Sequence, residues 1–211
     1  MRSSRKNGEV AFAVGIVLTL SVFAATQNAN AQQWPSQMWH DGKVVLVEGD
    51  TIRGQIKYDL QQDLIQINIR NTRTEAFSAR KVLFFEIFDM TVRRYRQFYA
   101  LPFNNTTGYK TPVFFELLVE GKFTLLAREA IEFRSYSSPY YLGSYTRQIL
   151  VNHFFFLNED GDISEFKGSK GDLLDMMGKK SEAVEAYMKE NHLKPDDKYE
   201  FARIVAYYNS I

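Results

Sequence analysis

The chain has 211 residues, with 26 Lys and Arg against 25 Asp and Glu and no cysteine. That balance lacks the basic footprint of a nucleic-acid binder, and the missing cysteine excludes both thiol catalysis and a disulfide scaffold. The 17 Phe and 12 Tyr supply the aromatic bulk that a thick β core uses.

Arg2, Arg5 and Lys6 stand against one acid, Glu9, ahead of an apolar run from Val10 to Ala25. A spanning helix needs about 20 apolar residues, so the run is short for an anchor and suits the central region of a signal peptide. Ala29-Asn30-Ala31 then provides the small-x-small pattern at which a signal peptidase cuts. Residues 1–31 are therefore expected to be a cleavable secretory signal, leaving no transmembrane helix. With no Cys after the apolar run, the chain cannot be acylated as a bacterial lipoprotein. Export to the periplasm, to the outer membrane or out of the cell is the implied destination.

Residues 32–42 form a polar, Trp-bearing lead-in, and residues 43–168 read as one antiparallel β domain. Lys43–Glu48 is a β-branched run that ends at the turn pair Gly49-Asp50. Thr51–Tyr58 continues it as a hairpin, with Ile52, Gly54, Ile56 and Tyr58 on one face and Arg53, Gln55 and Lys57 on the other. Leu64–Arg70 alternates in the same way through Ile65, Ile67 and Ile69. Lys81–Phe88 is apolar on both faces, as a central strand would be. Arg93–Leu101, Val113–Glu120, Lys122–Phe133 and Arg147–Leu157 follow, with turns at Glu120-Gly121 and Asp160-Gly161. About nine short strands, many in hairpins, predict a sandwich or a partly open barrel. A membrane-spanning barrel is not expected, because sustained lipid-facing alternation is missing and the chain does not end on a strand.

Residues 169–211 read as helical and docked on the β domain, which makes the fold class α+β with two to three C-terminal helices. Asp172–Met177 is a short helix stopped by Gly178. Ser181 caps Glu182–Asn191, whose Val184, Tyr187 and Met188 share a face. After Pro195 a last helix places Phe201, Ile204, Val205 and Tyr208 at i, i+3, i+4 and i+7, a stripe for docking onto the chain's own core.

The segment from Gly42 to Ile56 (GKVVLVEGDTIRGQI) resembles the opening hairpin of uncharacterised exported β-rich envelope proteins of Gram-negative bacteria. Tyr207-Tyr208-Asn209-Ser210 is similar to their helical end. The resemblance implies an envelope location and carries no site residue, because the family's function is unknown.

Catalytic signatures are missing. His40, His153 and His192 have no metal-ligand spacing, so no metal and no cofactor are expected. The run from Asn158 to Asp162 lacks the spaced ligands of a calcium loop and reads as a hairpin turn. Gly178-Lys179-Lys180-Ser181 lacks the frame of a phosphate loop. No nucleophile elbow occurs. The acid pairs Glu116 with Glu120 and Asp162 with Glu165 keep a glycan- or peptidoglycan-active enzyme as the alternative.

Two surfaces suit binding. Tyr136, Tyr140, Tyr141 and Tyr145 are strung among Ser, Pro and Gly in a predicted loop, each ring offering a stacking face and a hydroxyl. Arg93, Arg94 and Arg96 form a basic patch suited to an anionic glycan or lipid headgroup. The expectation is a non-catalytic envelope protein that binds or scaffolds through its β domain, with a glycan, peptidoglycan or protein partner and no nucleic acid.

Overall fold

The computed structural model describes residues 34–70, 72–104, 108–137 and 143–211. The expected signal segment 1–31 lies outside the described residues. So do Tyr140 and Tyr141.

Ten strands form one antiparallel sheet. They are β1 (His40–Leu46), β2 (Thr51–Asp59), β3 (Leu64–Ile69), β4 (Arg73–Ser78), β5 (Val82–Asp89), β6 (Arg94–Phe103), β7 (Thr111–Val119), β8 (Thr124–Ser137), β9 (Ser144–Leu157) and β10 (Ile163–Phe166). The order across the sheet is β10-β9-β8-β7-β6-β5-β1-β2-β3-β4. The chain thus runs out from β1 to β4, returns so that β5 pairs with the free side of β1, and then meanders to β10. The sheet does not close; β4 and β10 are its edges. The expected antiparallel α+β architecture is what the structure shows, in its open form.

Alternation along the ladders assigns each side chain to a face. The register pairs Val44 with Phe85, Ile56 with Ile67, Tyr58 with Ile65 and Phe85 with Phe98, so all of these share the concave side. With Ile87 and Phe114 they form a buried cluster between the two arms of the curled sheet. Gly42 and Gly54 face each other across β1 and β2. A Cβ on Gly42 would run into the Glu86 carbonyl, and one on Gly54 into the Asn68 carbonyl. Glycine there lets the neighbouring backbone approach closely. The curl carries the β2–β3 turn to β7 and β8: Asp63 accepts from the Phe114 amide at 2.8 Å and from Arg128 at 2.9 Å, and Arg128 also donates to the Leu60 carbonyl.

Three α-helices end the chain: α1 (Lys170–Met177), α2 (Ser181–Glu190) and α3 (Lys198–Ser210), with a 3-10 turn Gly178–Lys180 joining the first two. Ser169 caps α1 and Asp197 caps α3 through backbone amides. Phe201, Ile204, Val205 and Tyr208 of α3 are buried with Leu173, Val184 and Met188 against Leu125, Ala127, Phe154 and Phe156 of the concave face. Asn209 fixes the far end, exchanging two hydrogen bonds with the Phe123 backbone at 3.0 and 2.9 Å. The concave side thus holds two cores, one closed by the sheet's own curl and one closed by the helices. Among the described residues no helix is long and apolar enough to cross a membrane.

Two strands escaped the sequence reading. β4 (Arg73–Ser78) and β10 (Ile163–Phe166) are edge strands, mostly polar and with no fully buried residue, with too little apolar alternation to announce themselves. A larger departure concerns β8 and β9, which continue to Ser137 and Ser144 through residues that read as loop. Tyr136 and Tyr145 therefore sit on strands.

Candidate functional site

At the seam between the two concave cores lies a cluster of charges drawn from six elements. Tyr58 of β2, Asp89 of β5, Arg96 of β6, Glu116 of β7, Glu129 of β8 and Lys198 of α3 are all buried. Each occupies an inward slot of its element. Arg96 precedes inward Phe98 by two residues, Glu116 follows Phe114, and Glu129 follows Ala127. Lys198 is the first residue of α3, so the helix that closes the second core also delivers a cation.

Arg96 is the hub. Its Nε and Nη2 grip Glu116 in a bidentate pair at 2.9 and 2.8 Å. Nη2 also donates to Glu129 at 2.6 Å, and Nη1 donates to Asp89 at 2.9 Å and to the Tyr58 hydroxyl at 3.0 Å. Every N–H of the guanidinium is spent. Lys198 Nζ bridges Glu116 and Glu129 at 3.0 and 2.8 Å. Tyr58 donates its proton to Glu129 Oε2 at 3.0 Å.

Such a cluster persists only because each charge is paired, since an isolated buried ion costs several kcal/mol. Burial opposes ionisation of Glu129, but Arg96 and Lys198 outweigh it and hold the carboxyl below its ordinary range. Burial likewise opposes the charge on Asp89, and bonds from Thr91 and Arg96 hold it low. For Lys198 burial is the larger single influence, but Glu116 and Glu129 overcome it and keep the ammonium above its usual value. The Tyr58 phenol is pushed well up, chiefly by burial. A general acid in glycoside cleavage needs a carboxyl raised toward neutrality. Glu129 is shifted the other way.

The cluster reaches solvent on one side. A cleft of about 370 Å³ opens between the β2–β3 turn and the β8–β9 pair, with Tyr58 and Glu129 on its floor. Leu60, Ile131 and Leu150 give it apolar wall, and Gln61, Gln62 and Gln66 give it amides.

Beyond the cleft, β8 and β9 leave the sheet. β7 pairs with β8 only as far as Ala127, and β10 pairs with β9 only from Phe154 onward. From Arg128↔His153 to Ser137↔Ser144 the two strands pair with each other alone, among the described residues. The outer part of this ribbon carries Phe133 at 71% exposure, Tyr136 at 39% and Tyr145 at 57%. Tyr136 and Tyr145 are directly paired and stack at 5.6 Å. One step inward on the same face Arg134 stands opposite Arg147, and Glu132 lies 3.7 Å from Arg134.

The structure disperses the remaining candidates. Arg93 is an exposed residue of the β5–β6 turn with φ 52°, and Arg94 is exposed with its guanidinium 3.9 Å from the centre of the Tyr199 ring. Arg96 is only 3% exposed and belongs to the buried hub, so the three arginines form no common patch. The acid pairs separate too. Glu116 is locked by Arg96 and Lys198 while Glu120 lies exposed at the strand end. Asp162 pairs with Lys110, and Glu165 with His153 and Lys167. Among the described residues no group of three or more potential ligands is arranged to hold a metal.

The cluster itself was missed, although it leaves a trace in the sequence. Arg96, Glu116 and Glu129 are charges standing in apolar slots of alternating strands, where a solvated side chain has no place. Comparison with protein-family models, curated proteins and solved structures finds no match for this chain.

Proposed function

We propose that this chain is a non-catalytic, exported envelope protein that binds an anionic glycan through the β8–β9 ribbon. The observation that carries the reading is the free-standing outer ribbon with the Tyr136–Tyr145 stack beside the opposed Arg134 and Arg147. A two-stranded ribbon without a covering layer is marginal in water, and like charges directly across a ladder weaken it further. Rings exposed beside two arginines offer a sugar a stacking face, and offer its carboxylate or phosphate two guanidinium forks. The resemblance of the opening hairpin and helical end to exported envelope proteins supports the location. The locking of Glu116, Glu129 and Asp89 into ion pairs supports a non-catalytic role.

The test is titration with polygalacturonate, a carboxylated glycan, against neutral dextran. Binding to the former, weakened by salt, is expected. It should fall roughly tenfold or more in Tyr136→Ala/Tyr145→Ala and in Arg134→Ala/Arg147→Ala, both of which melt with the parent because the residues are exposed. Absent binding, equal binding of dextran, or unchanged binding in both variants overturns the reading. So does capture by anionic lipid vesicles instead of the glycan.

A further inference from the structure

The cleft at the root of the ribbon is a second place where the chain has unfinished chemistry. The buried cluster holds three carboxylates, Asp89, Glu116 and Glu129, against two cations, Arg96 and Lys198. It is one positive charge short. The N-terminus of α3 adds only about half a charge, and Asp197 already caps that terminus. Arg94, the ladder partner of Asp89, is exposed with its guanidinium over the Tyr199 ring and, among the described residues, makes no ion pair with the cluster. Lys57 and Asp59 on the cleft wall cancel each other.

The hydrogen-bond capacity tells the same story. Glu116 accepts three charged donors and Asp89 three donors. Glu129 Oε1 accepts two, from Arg96 and Lys198, whereas Oε2 accepts one, the Tyr58 hydroxyl. A carboxylate oxygen takes two. Asn152 is the direct ladder partner of Glu129 and so shares its face, and its buried Oδ1 has no donor. Where the cluster meets the cleft, Glu129 Oε2 therefore has acceptor capacity left and, among the described residues, receives no charged donor. A primary ammonium supplies the charge together with three donors.

We propose that the cleft formed by Tyr58, Glu129, Ile131 and Leu150 binds a small ligand through a primary ammonium group, with Glu129 as its counter-ion. The volume of about 370 Å³ accommodates one sugar ring or one amino-acid side chain. The amides of Gln61, Gln62 and Gln66 are suited to hydroxyls or peptide groups around the ammonium, and Leu60, Ile131 and Leu150 to its carbon frame. An amino sugar and a lysine-type side chain share this chemistry. The site is separate from the Tyr136–Tyr145 face, so it stands whether or not that face binds glycan.

The experiment follows backbone amide shifts by NMR in the intact protein during titration with glucosamine and with Nα-acetyl-lysine amide. N-acetylglucosamine, the doubly acetylated lysine amide and glucuronate are the controls. Shifts at Gln61, Gln62, Ala130 and Ile131 are expected with the free amines. Acetylation of the amine should weaken binding roughly tenfold or more, the worth of one charge-assisted hydrogen bond. Response to glucosamine alone assigns an amino sugar, response to the lysine amide alone assigns a peptide ammonium, and response to both assigns recognition of the ammonium itself. Glu129→Gln should lose binding to a similar extent. Because that residue also holds the cluster together, Ile131→Trp provides an independent variant that fills the cleft and leaves the ion pairs in place. The proposal is overturned by absent shifts with both amines up to the millimolar range, by equal binding of acetylated analogues or glucuronate, or by unchanged binding in Ile131→Trp.

Discussion

Replacing Lys198 with Met removes one cation from the seam while nearly preserving its volume. In the parent, Nζ lies 3.0 Å from Glu116 and 2.8 Å from Glu129, and the lysine side chain is 8% exposed. After the change Arg96 alone must balance three carboxylates, and the bridge between Glu116 and Glu129 becomes repulsion in a poorly solvated place. Breaking a buried ion pair by deleting one partner costs about 3–5 kcal/mol. For a domain of this size that corresponds to a fall in Tm of roughly 6–20 °C. Equilibrium urea unfolding followed by circular dichroism measures the loss. The double variant Lys198→Met/Glu116→Gln restores the parent's charge balance, so it should regain part of the loss even though one more interaction has been removed. A loss under about 1 kcal/mol for the single variant would refute the reasoning, because that is what an exposed pair is worth. So would a double variant less stable than the sum of its singles, since the two residues then could not be coupled through repulsion.

Val205→Asp puts an unpaired carboxylate into the helix-covered core and should cost several kcal/mol; a Tm within a degree or two of the parent would mean that the α3 stripe is not packed. Stability should also depend on pH at both ends. Glu129 and Asp89 are held low, so what they contribute is present above about pH 4–5 and is lost as the pH falls through their folded values. Lys198 is held high, so its contribution is present below about pH 10 and is lost as the pH rises through its folded value. The urea midpoint should therefore form a plateau with two falling limbs, and a midpoint that rises below pH 4 contradicts the cluster's assignment. For export, intact-mass measurement on protein recovered from an envelope fraction should give a chain beginning at Gln32; a full-length product there speaks against cleavage after Ala31.

The parts of the fold legible in the sequence are those where a local pattern decides the outcome. Gly49-Asp50 turns β1 into β2, and strict alternation sends Ile56, Tyr58, Ile65 and Ile67 inward. The apolar run at residues 81–88 becomes β5, which is flanked by β1 and β6. The pairing of β1 with β5 across three intervening strands left no such trace, since it depends on the curl of the whole sheet. The ribbon was misread for a related reason. Its outer half has polar residues on both faces and Ser at both strand ends, the composition of a loop, and cross-strand pairing alone makes it strand. For the site, composition suggested that neighbouring arginines would act together, but the turn and the position along β6 separate them: Arg93 lies in the turn, Arg94 opens the strand at the surface, and Arg96, two residues on and on the same face, is in the core. Lys198 could be placed beside Glu116 and Glu129 only by the docking of a helix many residues downstream.

The charged seam also bears on how the molecule comes apart. The two concave cores have separate memberships and would ordinarily be free to melt in turn. Arg96 and Tyr58 stand on the strands of one, whereas Glu129 and Lys198 stand on the elements of the other. Lifting the helices alone would strand Glu116 and Glu129 without Lys198, and peeling β6 away would strand them without Arg96. Either partly opened form therefore carries one more unbalanced charge in a site of low polarity than the folded chain does, a penalty that the fully unfolded chain escapes. The seam thereby welds two hydrophobic cores into one cooperative unit, and its contribution lies as much in suppressing intermediates as in deepening the native state.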